Sequence, residues 1–376
     1  MTGRHMRPKV KTLVKNRLRR SGNRGPLKTI AVCAAQVPFF SGGAEAHVEA
    51  LIEELKARDF EVDLINIPYK WYPHEQLLKS VEIWKKLDLS ESNAKKIDMI
   101  ITTKFPSYFA QHRNKVLWLI HQYRQMYDLF ETHYSGFNKS RPKDLELRDR
   151  LIEMDTQILK TYKKIFTNSK NTAARLKKYN GIEATPLYHP PRLSGRYYST
   201  GFDDYVLSVG RLDSLKRVDL LIKSLRFCDS KIRCKIVGSG PESEKLEVIA
   251  RECGVSDRVE FLGFVPDEKL LDLYSNCSAV FFAPLDEDYG YITLEAFLSQ
   301  KPVITSFDSG GPLEFVEDQL NGIVLDSLEE KGIGEKIDGL VSDKQRCRRY
   351  GIRGHQKVKS INWNVVIQTL LTEKKA

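Results

Sequence analysis

Apolar, β-branched runs of about four to eight residues alternate along this chain with longer amphipathic stretches, and the whole alternation occurs twice. Runs of that length that are apolar on both faces suit parallel strands, and the amphipathic segments between them suit crossover helices. In the first half the strand candidates are TIAVCAAQ from Thr29, EVDLINI from Glu61, DMIITTKF from Asp98, VLWLIH from Val116 and KIFTNS from Lys164. The helix expected after the first of them carries Ala44, Val48, Leu51, Ile52 and Leu55 on one face. The stretch from His189 to Asp204 has Pro, Gly, Ser and Tyr without a period, as an interdomain linker would. Strands resume with YVLSVGR from Tyr205, KIRCKIVGSG from Lys231, RVEFLGFV from Arg258, AVFFAP from Ala279, PVITSF from Pro302 and GIVL from Gly322.

The expectation is therefore an α/β chain of two Rossmann-like, doubly wound domains facing across a cleft at the carboxyl ends of their strands. Its parts are a basic arm over residues 1–28, an amino-terminal domain over 29–192 and a carboxyl-terminal domain over 193–352. A final helix over 353–376, with Trp363, Val366, Ile367 and Leu370 on one face, is expected to pack back on the first domain. A length of 376 residues fits two domains at about 100–200 residues each.

The net charge of +11 invites a nucleic-acid reading, but its location argues otherwise. Residues 1–28 hold ten Lys or Arg and no acid. Without those ten, 50 basic residues face 49 acidic ones, so the body is near neutral. A basic arm can meet anionic lipid, nucleic acid or nothing at all. The six cysteines lie scattered, without a CxxC pair or a zinc-type cluster, as reduced core residues of a cytosolic protein would. No run approaches the roughly 20 apolar residues that span a bilayer. A cytoplasmic location is expected, with any membrane contact peripheral, at the cytoplasmic face.

Several segments carry chemistry. In SGGAEAHVEAL, Gly42 and Gly43 turn a strand into a helix, where backbone amides can approach a phosphate; an ordinary tight turn reads the same way. SVGRLDSLKR sets Arg211 and Lys216 just past a strand end, a pair suited to a diphosphate or to a plain charged surface. VGSGP around Gly238 and Gly240 lacks the full dinucleotide-binding pattern and reads better as a structural turn. FFAPLDEDYGYITLEAF empties a buried strand into an acidic loop, then opens a helix near Thr293 after Gly290. Glu287 and Glu295 can both point into one cleft and accept hydroxyl hydrogen bonds from a sugar or ribose, and amides from Gly290 through Tyr291 and Ile292 to Thr293 can meet a phosphate.

Taken in order, SVGRLDSLKR, VGSGP, FLGFVP, EDYGYITLEAF and DSGGPLEFV resemble the carboxyl-terminal domain of glycosyltransferase family 4, and GGAEAHVEAL resembles its amino-terminal loop. The likeness runs over about residues 29–330. It implies the GT-B fold and retaining transfer from a nucleotide-diphosphate sugar. By position it implies Glu287 beside the donor sugar hydroxyls, Glu295 beside the ribose, Arg211 and Lys216 on the diphosphate, and Gly43 near the phosphates. It places His121, otherwise an unremarked strand-end histidine, near the transferred sugar, and Phe264 and Val265 beside the nucleobase. Asp286, Glu287 and Asp288 also spell D-x-D, a metal-binding pattern of a different fold; the resemblance implies no metal and no further cofactor.

The expected partners are thus a GDP- or UDP-hexose and a saccharide or lipid-linked acceptor of cell-surface glycan synthesis, with no nucleic acid. WYPHEQLLKSVEIWKKLDL from Trp71 combines Leu77, Leu78, Val81 and Trp84 with Lys79, Lys85 and Lys86, a pattern that fits a membrane interface and a domain-packing helix equally. Two further readings stay open. One is a nicotinamide-dependent dehydrogenase, and the other a non-catalytic protein that binds through its basic arm.

Overall fold

The computed structural model describes residues 27–39, 42–130, 132–229 and 231–372. The expectations for the basic arm lie outside these, apart from its last two residues. Among the described residues the first compact unit takes 27–167, 175–187 and 363–372, and the second takes 168–174 and 188–362.

The first unit runs β1 (Thr29–Gln36), α1 (Gly43–Lys56), β2 (Glu61–Pro68), α2 (Glu75–Lys86), a hairpin of β3 (Glu91–Ser92) and β4 (Lys95–Lys96), then β5 (Met99–Thr102) and β6 (Lys115–Leu119). It continues with α3 (Pro142–Leu159), β7 (Ile165–Thr167), α4 (Lys170–Asn180), whose first turn counts with the second unit, and β8 (Thr185–Pro186). Its sheet has the order β2-β1-β5-β6-β7-β8, with every pair parallel. Successive side chains of β1 feed opposite cores: Ala31 and Cys33 join one, Ile30, Val32 and Ala34 the other. Both faces are thus buried, which is why the run reads as apolar throughout.

The second unit runs β9 (Tyr205–Val209), α5 (Val218–Ser224), β10 (Arg233–Val237), α6 (Ser243–Glu252), β11 (Val259–Gly263), α7 (Asp267–Asn276), β12 (Ala279–Phe281), α8 (Tyr291–Leu298), β13 (Val303–Ser306) and β14 (Gly322–Leu325), followed by α9 (Glu330–Val341) and α10 (Lys344–Val358). Its parallel order β11-β10-β9-β12-β13-β14 is that of a doubly wound nucleotide-binding sheet. The order reverses between β9 and β12, where Ala279 pairs with Val206 and Val280 with Leu207.

The final helix α11 (Trp363–Leu371) belongs to the first unit; Val366, Ile367 and Leu370 pack into the core that holds Trp118, and the two tryptophan rings meet edge-on at 6.1 Å. Two expected boundaries move. Tyr188–Arg192 fall in the second unit, because the His189 amide donates to the Tyr289 hydroxyl at 3.1 Å. The division expected at 352/353 lies inside α10, which continues to a buried Val358. The apolar face of α2 goes inward: Leu77, Val81 and Trp84 are fully buried, while Lys79, Lys85 and Lys86 stay exposed. This is domain packing, and it removes those apolar residues from any membrane surface. None of the six cysteines is paired. No helix among the described residues is long and apolar enough to cross a membrane.

Candidate active site

In a doubly wound sheet the loops leaving the strands on either side of the reversal part company, and a crevice opens at their carboxyl ends. In the second unit those loops carry Arg211, after β9, and Asp286–Gly290, after β12. Arg211 is exposed, directly beyond Gly210. A single turn of 3-10 helix, Ser214–Lys216, follows and directs Lys216 back toward the acidic loop. There its ammonium donates to Glu287 Oε2 and lies 5.7 Å from the centre of the Phe282 ring. The two side chains keep 21% and 23% of their exposure, so the pair is shielded yet reachable. Burial works against the charge on Lys216, but Glu287, with Asp213 and Asp288 near it, outweighs that and holds the amine above its ordinary range.

The loop bearing Glu287 is fastened by backbone hydrogen bonds to the loop after β13. Asp286 N donates to Asp308 O at 2.8 Å, Glu287 N to Ser309 O at 2.9 Å, and Gly311 N to Glu287 O at 2.8 Å. Leu285 N donates to Leu215 O at 2.8 Å, which ties the loop to the turn holding Lys216. Asp286 accepts from Asn171 Nδ2 at 2.6 Å. The carboxylates of Asp286 and Glu287 therefore serve different partners. Among the described residues no group of three or more His, Cys, Asp or Glu gathers at metal-binding distance.

Gly290 then starts α8 with φ of +81°, and a Cβ there would stand 2.9 Å from Pro312 and 3.1 Å from Phe282. The helix-start residues do not all face outward. Thr293 is fully buried, and its amide donates to Gly290 O at 3.0 Å, which removes it from the amides available to a phosphate. Tyr291 shares a short hydrogen bond between its hydroxyl and His189 Nε2. Ile292 Cδ1 approaches the position a Cβ on Gly210 would take, at 3.6 Å, so α8 borders the loop that carries Arg211. Glu295 accepts the Tyr274 hydroxyl at 2.7 Å. Burial lifts the Glu295 carboxyl above its ordinary range, against that hydrogen bond and the charge of Arg192. Beyond β11, Phe264 is 88% exposed, while Val265 packs partly into the core.

The VGSGP turn has a structural explanation. A Cβ on Gly238 would stand 1.9 Å from Gly210 O, and one on Gly240 would stand 2.2 Å from Leu212 O. These glycines let two loops touch backbone to backbone.

In the first unit the candidates again follow strands. Gly42 and Gly43 lead from β1 into α1, and His121 lies two residues beyond β6. The Gly42 amide is occupied by Glu45 Oε2 at 3.0 Å, and Glu45 is paired with Lys104 at 2.6 Å. That contact is an ordinary helix cap. His121 Nδ1 makes a 2.8 Å contact with Gln122 O, which orients the ring.

One residue escaped the sequence reading. Arg217 stands in a left-handed conformation, φ +50° and ψ +40°, between the turn of Lys216 and α5. Its guanidinium donates to Ala283 O, Pro284 O, Ser306 Oγ and both Asp308 oxygens, at 2.7–2.8 Å. Burial alone would raise the Asp308 carboxyl, but the Arg217 fork and the Ser306 hydroxyl hold it below the usual range. In sequence Arg217 is one more cation in a basic run; the only local hint is its place just before a helix.

Residues 200–357 match the family model described as Glycosyl transferases group 1. A D-inositol 3-phosphate glycosyltransferase of Nocardia farcinica is 30% identical over 177 residues, which cover 44% of this chain and 39% of that protein. A GDP-mannose-dependent alpha-(1-6)-phosphatidylinositol monomannoside mannosyltransferase of Mycobacterium tuberculosis is 30% identical over 171 residues, 43% of this chain and 44% of that protein. The chain thus aligns with less than half the length of these relatives. The solved sucrose-phosphate synthase of Thermosynechococcus elongatus superposes with a TM-score of 0.72 at 20% identity, covering 91% of this chain and 97% of that one. Two parallel-sheet α/β units in this order make the fold GT-B, and the second unit carries a Glycosyl transferases group 1 domain.

Proposed function

We propose that this chain is a retaining glycosyltransferase of family 4, moving a hexose from a nucleotide-diphosphate sugar to a saccharide or lipid-linked acceptor in cell-surface glycan or glycolipid synthesis. The observation that carries the reading is the Lys216–Glu287 pair at the sheet reversal of the matched domain, on two loops bonded to each other. A departing diphosphate gathers negative charge as the sugar–phosphate bond breaks. Fixed cations are the groups that stabilise it, and Lys216 and Arg211 are assigned that role.

In the proposed reaction the acceptor hydroxyl attacks the anomeric carbon on the face the diphosphate leaves. The C–O bond to phosphate breaks, the C–O bond to the acceptor forms, and the departing phosphate oxygen takes the hydroxyl proton. Glu287 orients the donor sugar by accepting from its hydroxyls and serves as neither nucleophile nor base. Glu295 is assigned to the ribose, Phe264 and Val265 to the base, and the start of α8 at Tyr291 and Ile292 to a phosphate. In the first unit, Gly43 and His121 are assigned to phosphate and sugar. No metal is required. The names of the mannosyl and inositol-phosphate relatives support a lipid-linked or inositol-containing acceptor.

A thermal-shift panel of UDP-, GDP- and dTDP-sugars with NAD tests the reading. Stabilisation by one class of nucleotide sugar, followed by transfer of its sugar, is the expected result. Stabilisation by NAD alone overturns it.

A further inference from the structure

The Lys216–Glu287 pair joins two loops, and neither side chain explains what keeps those loops in register. We propose that Arg217 is the positioning residue that holds Lys216 and Glu287 in a single geometry; this rests on the function proposed above.

Three observations carry it. Arg217 takes a left-handed backbone that L-residues other than Asn and Asp rarely adopt, and that turn hands the chain from the Lys216 turn to α5. Its side chain, 13% exposed, reaches the exits of two neighbouring strands: Ala283 and Pro284 beyond β12, Ser306 at the end of β13 and Asp308 two residues past it. Those exits carry the pair's backbone. Asp308 O receives Asp286 N, Ser309 O receives Glu287 N, and Leu215 O receives Leu285 N. One planar fork therefore references the peptide next to Lys216 and the loop of Glu287 to the same two strand ends. A surface cation would not place its donors on four separate groups of those two exits. Lysine at 217 would keep the charge but bring three donors on one nitrogen, which cannot span acceptors spread around a guanidinium plane.

The test compares Arg217→Gly, Arg217→Lys and Asp308→Asn with the wild-type chain. The Gly variant suits the left-handed backbone and removes only the fork. Circular dichroism and melting establish that each variant is folded. With the donor identified by the nucleotide-sugar panel, kcat is expected to fall about 100-fold in Arg217→Gly and Arg217→Lys, the scale of a small misplacement of reacting groups, and less in Asp308→Asn. Lys216 is faced by Glu287, Asp213 and Asp288. Once Glu287 drifts, its amine should titrate lower, so the alkaline limb of kcat/KM moves to lower pH, and guanidinium ion but not ammonium should restore Arg217→Gly. Loss of fold alone would scale the whole profile without moving it. A folded Arg217→Gly with wild-type kcat, or a uniform loss that guanidinium does not relieve, overturns the proposal. If Arg217→Gly does not fold, Arg217→Lys decides on kcat and the alkaline limb: a fall in kcat with the limb moved supports the proposal, and a wild-type kcat or an unmoved limb overturns it. If the wild type turns over no nucleotide sugar, the functional reading falls instead. NMR titration of the methylated Lys216 amine then decides the positioning claim: a lower value in the variant supports it, and an unchanged value overturns it.

Discussion

Replacing Gly238 with Ala tests the construction of the loop edge from which Arg211 emerges. Gly238 follows β10 at φ +124°, and its amide donates to Gly263 O at 2.8 Å. A Cβ there would stand 1.9 Å from Gly210 O and 2.9 Å from Gly210 C, both backbone atoms that cannot swing away as a side chain could. Ordinary carbon–oxygen contact begins near about 3.3 Å, so the β9 and β10 loops would have to part by roughly 1.4 Å. An L-residue in that backbone region costs about 1–3 kcal/mol, and forcing extra volume into packed structure about 1–3 kcal/mol more. The sum, about 2–6 kcal/mol, is a large part of the stability of one domain. At roughly 2–4 °C per kcal/mol for a unit of this size, a cost near 4 kcal/mol lowers the melting temperature by about 8–16 °C. Scanning calorimetry of the whole chain, with a nucleotide-binding titration, measures both consequences, because Gly210 precedes Arg211. Gly339→Ala is the internal control. It lies in α9 with no atom within 4 Å of its added Cβ, so alanine's helix preference should stabilise by about 0.5–1 kcal/mol. If Gly238→Ala melts with the wild type, the close-approach argument is wrong.

Three further outcomes are expected. Glu287→Ala should lower turnover about 100- to 1,000-fold while nucleotide affinity stays near wild type, measured by steady-state kinetics beside calorimetric titration; equal loss of both would remove Glu287 from the sugar. Asp155 is fully buried in the first unit, where Tyr108 and Tyr127 donate to its Oδ2 at 2.8 and 2.7 Å, and burial pushes its carboxyl up to about 7. The folded chain then keeps a proton that the unfolded chain releases near 3.8, so wild-type stability should fall as pH rises from there to about 7. The slope is about 1.4 kcal/mol per pH unit at most, and Asp155→Asn, which cannot titrate, should flatten melting temperature against pH across that window. Incubation with EDTA should leave sugar transfer unchanged; activity lost to EDTA and restored by a divalent cation would assign a metal to the reaction.

Much of the fold was legible because strand and helix periods are local. Each of the eleven expected strand runs overlaps a strand, and His121, Arg211 and the Asp286–Gly290 loop all follow strand ends. The hairpin of β3 and β4 was not legible, since Glu-Ser and Lys-Lys around Asn93-Ala94 offer no alternation to read. Neither was the fate of α2, because a face that buries Leu77, Val81 and Trp84 in a core has the same spacing as one that meets lipid. Thr293 shows the same limit: the helix start was recognisable, but that its first-turn amide is already bonded to Gly290 O depends on the local coil of the chain.

The sequence by itself determined two β-α alternations, the segment over which each is built, and the residue types that can hold a phosphate and a sugar. Those follow from side-chain period and chemistry, which neighbours along the chain suffice to express. The tertiary structure alone decided that β9 lies beside β12, which brings the Lys216 turn against the Glu287 loop. It also made Arg217, one cation among several in the sequence, the fork that joins Ala283 and Pro284 to Ser306 and Asp308. Those contacts span 66 to 91 residues, and no local pattern encodes a pairing that exists only once the sheet has formed.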